Sequence, residues 1–185
     1  MTVKCSVFIA ASVDGFIAGP QGELDWLIRP EYAPEKIEGL SYAEFIATVD
    51  ALVMGRNTFE TVMTFEPWPY ESTPVIVLTH RILEMPEALQ GKVRVLSGSP
   101  EEIVARLGAE GKRHLYIDGG KTIQQFLRAG LIDELTITRI PILLGAGIPL
   151  FDGSYLLHSL RLIASVASEN GVVQDRYQVM RGNGS

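Results

Sequence analysis

The residues best suited to chemistry lie in the turn Asp118–Lys121, where a glycine pair separates two apolar patterns. The run His114–Ile117 before this turn predicts a buried strand, and the spacing of apolar side chains over 123–127 predicts a helix. Adjacent glycines let the backbone approach a ligand closely, and the first turn of a helix offers unpaired N–H groups that suit a phosphate. With the charge of Lys121, this turn predicts a phosphate-binding corner; an ordinary strand-to-helix turn is the alternative that the same residues allow.

Two other predicted strands, 50–54 and 75–78, also end in polar or positively charged residues. Ligands of an open α/β sheet bind beyond the carboxyl ends of its strands, so we expect these ends to face the same ligand as the glycine corner. Arginine and lysine accommodate the 2′-phosphate of NADP, whereas each cation taken alone is typical of a solvated surface. The residues that follow the two strands are Gly55, Arg56, Asn57 and Thr58 in one case and Thr79, His80 and Arg81 in the other; Arg56, Arg81 and Lys121 are the candidates for the 2′-phosphate.

Strand and helix patterns alternate along most of the chain, and the last two patterns are both strands, joined by Asn170-Gly171. This alternation predicts a mostly parallel sheet with helices on both faces, and Asn-Gly between two strand runs predicts an antiparallel C-terminal hairpin. We therefore expect an α/β fold in a single domain over 1–181, with a disordered polar tail at 182–185. The glycine-rich segment 16–22 predicts a loop with little regular structure, of the mobile kind that often covers active sites.

Local signals mark where the other helices begin. Ser41 with Glu44 predicts a capping box ahead of a helix that runs to Val49. Ser99 is a predicted N-cap, with acidic residues in the turn that follows. A further helix is predicted over 58–63, directly after the polar residues that follow the predicted strand 50–54.

Composition argues against several classes of protein. The 185 residues carry a net charge of −6, which disfavours a nucleic-acid-binding surface. Cys5 is the one cysteine in the sequence, and the N-terminus has no signal-peptide pattern, so we expect a cytoplasmic protein. The apolar run 135–151 is broken by charge, proline and glycine, and we predict no membrane span there. The sequence has no Cys/His cluster that would predict a metal site, and no Gly-x-Gly-x-x-Gly or P-loop motif.

Several of these segments, taken in order, resemble the dihydrofolate reductase fold family. The similar segments are Ile9–Ala11, Val53–Glu60, Leu78–Thr79, Ile117–Gly120 and Gln125–Leu127. Two more, Ser12–Gly15 and Pro141–Phe151, are similar to the reductase domain of the bifunctional riboflavin-biosynthesis deaminase-reductase and to its stand-alone relatives. The resemblance implies a three-layer dihydrofolate reductase-like α/β fold and narrows the activity to a reductase.

The resemblance implies an NADPH-dependent reductase similar to 5-amino-6-(5-phosphoribosylamino)uracil reductase, which transfers a hydride to a C=N or C=O carbon of a heterocycle-linked substrate. It also implies a homodimer, for which the apolar loop after Pro141 is a candidate contact, and a cis peptide bond on one side of Gly119. Dihydrofolate (pterin) reductase activity and a non-catalytic NADPH-binding protein are the alternatives. The implied cofactor-binding residues are Ala11 and Ile17 beside the nicotinamide, and Gly55, Arg56, Asn57, Thr58, Leu78, Thr79, His80, Arg81, Gly119, Gly120, Lys121 and Thr122 around the adenosine and the phosphates.

The resemblance also implies where the proton donor lies. Dihydrofolate reductase has a carboxylate shortly after a tryptophan, and here Trp26 is followed by Glu31 and preceded by Asp25. Glu31 is the first candidate for the acid and Asp25 the second, because a carboxyl group in an apolar pocket would have the raised pKa that such an acid needs. Thr138 matches the strand threonine that supports the acid, and a flat heterocycle would stack near Trp26 and Phe45.

The sequence departs from both relatives on the substrate side. Phe16 stands where the riboflavin reductase has a basic residue, and Glu66–Tyr70 replaces its arginine-bearing segment. Before Val75, Glu71–Pro74 occupies the place of the arginine that holds the folate tail in dihydrofolate reductase. Because of these differences, the sequence does not specify the substrate, while the cofactor prediction is unchanged.

Overall fold

A twisted sheet forms the centre of the computed structural model, which describes residues 2–70, 72–153 and 157–180. The predicted tail 182–185, and Arg181 at the predicted end of the last strand, lie outside the described residues. The strands are β1 Lys4–Ser12, β2 Phe16–Ala18, β3 Ala51–Gly55, β4 Val75–Leu78, β5 Val93–Leu96, β6 His114–Asp118, β7 Glu134–Ile140, β8 Ile148–Pro149, β9 Leu160–Ala167 and β10 Val173–Val179. The helices are α1 Tyr42–Ile46, α2 Arg56–Val62, α3 Pro100–Ala109 and α4 Gly120–Arg128, with short 3₁₀ turns at Pro30–Tyr32, Pro34–Lys36 and Glu87–Leu89.

The order of the strands confirms the predicted topology. The main sheet runs β5-β4-β3-β6-β1-β7-β10-β9, and its first six strands are parallel. Strand β10 is antiparallel to both β7 and β9, so the C-terminal hairpin forms one edge of the sheet. The central strand β3 is buried along Ala51–Met54, as expected for a parallel strand that helices cover on both faces.

Helices pack on the two faces of this sheet and complete three layers. Apolar side chains of α3 and α4, among them Leu107 and Phe126, pack against one face together with Val7 and Ile117. The opposite face carries Phe45 of α1 and residues of α2. Because strand side chains alternate between faces, β6 divides its residues between these two cores. The described residues therefore form the predicted α/β fold.

The helix starts follow the capping signals in the sequence. Ser41 accepts a hydrogen bond from the Glu44 N–H while the Glu44 carboxylate accepts one from the Ser41 N–H, which confirms the predicted capping box. Ser99 caps α3 in the same way, paired with Glu102. Helix α2 begins at Arg56, two residues before the predicted start, because Gly55 at the end of β3 is its N-cap.

The segment after β1 is more regular than the sequence predicted. Phe16–Ala18 forms β2 and pairs antiparallel with β8, where Phe16 lies opposite Pro149 and Ala18 lies opposite Ile148. The partner strand lies about 130 residues further along the chain. Local sequence patterns carry no information about such a distant partner, which explains why a loop was predicted instead.

Candidate functional site

Two helices begin at the carboxyl ends of neighbouring strands, and their first turns touch. Strands β3 and β6 are adjacent and parallel, and Gly55 and Gly119 are the N-cap residues of α2 and α4. A Cβ atom added to Gly119 would overlap the Thr58 hydroxyl, and one added to Gly55 would lie 3.0 Å from Thr122 Oγ1. Each helix thus places a threonine against the glycine of the other, which brings together two segments that the sequence predicted to meet.

The start of α4 presents free hydrogen-bond donors at this corner. Gly119 has a φ of +88°, a conformation that favours glycine, and its N–H donates to Asp118 Oδ1 at 2.9 Å. Among the described residues, no side chain caps the helix, and the N–H groups of Gly120, Lys121 and Thr122 donate no hydrogen bond. Donors that the helix itself cannot satisfy, at the positive end of its dipole, suit an anion such as a diphosphate.

The cis peptide bond predicted beside Gly119 is not present. Both peptide bonds of Gly119 are trans, and the cis bond within the described residues joins Glu66 to Pro67. The positive φ of Gly119 turns the chain from strand to helix with ordinary trans bonds.

The end of β4 lies on the other side of β3 from the glycine corner. Leu78 is the register partner of Gly55, so Thr79 follows next to the start of α2. The Thr79 N–H donates to the Leu96 carbonyl, and its hydroxyl accepts from the Arg81 N–H at 3.0 Å. His80 and Arg81 are exposed beyond the strand, as is Asn57 on α2. The predicted cofactor residues of three strands are therefore aligned along one edge of the sheet.

The three candidate cations differ in their surroundings. Arg56 is paired with Glu60 one helical turn away, at 2.6 Å between Nε and Oε1. Arg81 and Lys121 are exposed and form no ion pair within the described parts of the chain. Arg81 and Lys121 are consequently the cations that a phosphate would meet without displacing a carboxylate.

The segment after β1 borders the glycine corner from the other side. Ala11 is buried near the end of β1. A Cβ atom added to Gly120 would lie 3.2 Å from Ile17 Cδ1 and 2.9 Å from the Pro149 carbonyl oxygen. The β2–β8 ribbon is thus in close contact with the start of α4, and it forms one wall of the site.

The structure adds a residue that sequence reasoning missed, the carboxyl group of Asp118. It is the last residue of β6 and the register partner of Met54, on the face of the sheet that also carries Tyr116. Burial raises the pKa of Asp118 to about 6. An acidic residue at the end of an otherwise apolar strand, directly before a glycine pair, was the available signal in the sequence.

Three tyrosines interact electrostatically with this carboxyl group. Burial raises the pKa values of Tyr42, Tyr70 and Tyr116, and the charge of Asp118 raises each of them further. The three phenols therefore remain neutral hydrogen-bonding groups at physiological pH. Tyr116 donates to the Phe8 carbonyl at 2.8 Å, which fixes its ring under α1.

The residues predicted to supply and support the proton donor lie elsewhere. The Glu31 side chain is 53% exposed and lies 3.9 Å from Arg29, so it lacks the apolar pocket on which the prediction depended. Asp25 is also exposed. Thr138 is buried, but its hydroxyl accepts from the Gln174 amide at 3.2 Å instead of contacting either carboxylate.

The two aromatic residues predicted to stack on the substrate belong to the core. Trp26 is 4% exposed, packs with Ile140 and Val172, and donates from Nε1 to the Glu23 carbonyl at 3.1 Å. Phe45 is 5% exposed and stacks on Phe8 at 4.9 Å between ring centroids. Since both rings are covered by other side chains, the structure gives them packing roles and no face for a heterocycle.

The described residues contain neither a candidate metal cluster nor a candidate membrane-spanning helix. No group of three or more His, Cys, Asp or Glu side chains is placed to hold a metal ion. No helix among the described segments has the length and apolar content needed to cross a bilayer.

Several known proteins are similar to this chain over most of its length. The model of the RibD C-terminal domain family matches residues 3–174. The uncharacterized protein YwjB of Bacillus subtilis (strain 168) is 36% identical over 154 residues, which are 82% of this chain and 84% of that protein.

Two solved structures are similar to this chain in fold. A crystal structure of a candidate riboflavin biosynthesis protein from Shewanella sp. PV-4 is 42% identical, with a TM-score of 0.86 over 96% of this chain and 99% of that one. Dihydrofolate reductase from Enterococcus faecalis, complexed with NADP(H), matches with a TM-score of 0.65 at 23% identity and covers 96% of this chain and 97% of that one. At that identity the second likeness concerns the fold alone.

Replacing Asp118 should change the free energy of unfolding in a pH-dependent manner. Because the folded-state pKa of about 6 lies above the ordinary value of 3.8, the folded protein loses stability as pH rises through that window. We expect Asp118→Asn to be more stable than wild type by roughly 1–3 kcal/mol at pH 7.5, with no gain near pH 4. Urea unfolding at the two pH values measures this difference.

Asp50→Asn is the matched control, because its effect on the free energy of unfolding should have the opposite sign. The Asp50 carboxylate accepts from the N–H groups of Arg113 and His114, and these hydrogen bonds lower its pKa. This variant should lose stability at pH 7.5 and lose less near pH 4. A difference between Asp118→Asn and wild type that is the same at both pH values would contradict the buried-carboxyl assignment.

Proposed function

This chain belongs to the RibD C-terminal domain family, a family of reductases, and we propose that it is an NADPH-dependent reductase of a heterocycle-linked substrate. The activity it resembles is that of 5-amino-6-(5-phosphoribosylamino)uracil reductase in riboflavin biosynthesis. The single observation that supports this best is the corner where Gly55 and Gly119 meet, since it exposes helix N–H donors where a side chain would not fit.

The residues at this corner suit the cofactor that we propose. The N–H groups of Gly120, Lys121 and Thr122 are available to diphosphate oxygens, and Lys121 adds a positive charge beside them. Thr79 and Arg81 lie across β3, where an adenosine with a 2′-phosphate would be within reach. When bound, NADPH supplies a hydride at its nicotinamide ring.

The chain itself has to supply or relay a proton, and Asp118 is the group that we assign to this step. A carboxyl group with a pKa of about 6 retains a protonated fraction near neutral pH, which a general acid requires. In the proposed mechanism, Asp118 gives its proton to the nitrogen or oxygen of the reduced double bond. The neutral phenols of Tyr42 and Tyr70 would hold the heterocycle through hydrogen bonds.

Binding and turnover of NADPH test this proposal. We expect NADPH, followed by its fluorescence, to bind the wild-type protein, and Gly119→Ala to weaken binding by about tenfold or more, near 1.4 kcal/mol. The added Cβ would overlap Thr58 and would also strain a φ of +88°. Gly130→Ala is the matched control, because Gly130 has a φ of +66° at the far end of α4 and no atom within 4 Å of an added Cβ.

The outcomes separate the proposed function from its alternatives. Consumption of NADPH with 5-amino-6-(5-phosphoribosylamino)uracil supports the proposal, and consumption with dihydrofolate alone indicates a pterin reductase. Tight binding with neither substrate turned over indicates a non-catalytic NADPH-binding protein. If NADPH fails to bind, or if Gly130→Ala weakens binding as much as Gly119→Ala, the assignment of the corner is wrong.

We also propose that the protein is a homodimer, and β9 suggests a contact other than the loop after Pro141. This edge strand exposes Leu160, Leu162 and Ile163 by 44, 54 and 45%, and natural sheet edges of this kind are normally paired or covered. We expect dimers in sedimentation and monomers after Leu162→Lys, with Ile82→Lys as the control at a 93% exposed position. A wild-type monomer at micromolar concentration would contradict the proposal.

A further inference from the structure

The motif Ser12–Gly15 at the end of β1 has no part in the proposed chemistry, yet its carboxylate makes an unusual set of contacts. Asp14 Oδ1 accepts from the Ser12 hydroxyl at 2.6 Å and from the Leu144 N–H at 3.2 Å. Asp14 Oδ2 accepts from the Gly145 N–H at 2.7 Å. One exposed side chain thus joins two segments that are about 130 residues apart in the sequence.

Backbone contacts continue the junction that Asp14 begins. The Val13 N–H donates to the Ile142 carbonyl and the Leu150 N–H donates to the Gly15 carbonyl, both at 2.9 Å. Strands β2 and β8 pair directly beyond these bonds. Gly147 passes so close to the Ala18 carbonyl that a Cβ atom would overlap it. The segments 12–18 and 142–150 are therefore joined along their length, and Asp14 lies beside the Gly15–Leu150 hydrogen bond at the start of the β2–β8 ribbon.

The β2–β8 ribbon, together with Leu150 directly after it, rests on the start of α4. Ile17 and Pro149 contact Gly120, and Gln124 Nε2 donates to the Leu150 carbonyl at 2.9 Å. A displacement of the ribbon would consequently open the wall of the glycine corner. The hydrogen bond from Ser12, followed by those from Gly145 and Leu144, lowers the pKa of Asp14, so the carboxylate is ionised at neutral pH.

We infer that Asp14 is a positioning residue: its carboxylate fastens the segment after β1 to the segment before β8, and the fastened ribbon holds the wall of the glycine corner in place. Charge-assisted bonds to two backbone N–H groups are suited to this task, because they fix a loop through atoms that every residue carries. The effect on NADPH rests on the proposed function, whereas the fastening itself does not.

Hydrogen exchange of the full-length protein without cofactor tests the fastening. In Asp14→Asn the amide group keeps one acceptor but turns a donor towards the Leu144 or Gly145 N–H. We expect amides of 13–18 and 142–150 to exchange on the order of tenfold faster, with those of β4 and β5 unchanged. Glu169→Gln, which removes an exposed carboxylate in the β9–β10 turn, is the control and should leave every segment unchanged.

NADPH affinity tests the positioning role. We expect Asp14→Asn to raise the dissociation constant of NADPH by about three- to tenfold while the variant remains fully folded in the absence of urea. Unaltered exchange in both segments would overturn the fastening, and faster exchange with unaltered NADPH affinity would overturn the positioning role. If wild type binds no NADPH, the proposed function fails, and the exchange data alone then support or overturn the fastening.

Discussion

The site depends on one steric constraint, which is that a side chain at Gly119 would overlap Thr58 and one at Gly55 would lie in tight contact with Thr122. Their strands are neighbours in the sheet, and each glycine is in contact with a threonine of the other strand's helix. This mutual contact places two helix starts side by side and leaves the first N–H groups of α4 open. The strand order brings the two glycines together, the ribbon that carries Ile17 forms a wall beside them, and Asp118 directly precedes Gly119.

The sequence predicted those parts of the molecule that depend on interactions between residues close together in the chain, such as helix caps and turns. The capping residue Ser41, the apolar run of β3 and the Asn170-Gly171 turn each encode their own element, so the layers and most boundaries followed. The strand-to-helix turn at Gly119 was predictable for the same reason, because an apolar run, a glycine pair and an amphipathic pattern follow one another in the sequence. Placing Gly55 beside Gly119 additionally required the parallel sheet, which the alternation of elements supplied.

The remaining features depend on contacts between distant residues, and these were missed. Strand β2 has three residues and forms only because β8 pairs with it. Trp26 has the residue type expected of a stacking platform, but Ile140 and Val172 cover it. Glu31 has the right spacing from Trp26, yet its surroundings are solvent and Arg29. A carboxyl group acquires a raised pKa when the surrounding protein shields it from water. Asp118 is shielded in this way, whereas the Glu31 side chain is exposed.

The central claim is that the glycine corner holds the diphosphate of a nicotinamide dinucleotide, and a crystal structure of the protein with NADPH tests it most directly. The account predicts diphosphate oxygens within hydrogen-bond distance of the Gly120, Lys121 and Thr122 N–H groups, with the nicotinamide between Ile17 and Asp118. A dinucleotide bound with its diphosphate away from Gly119, or with its nicotinamide beside Glu31, would contradict the account.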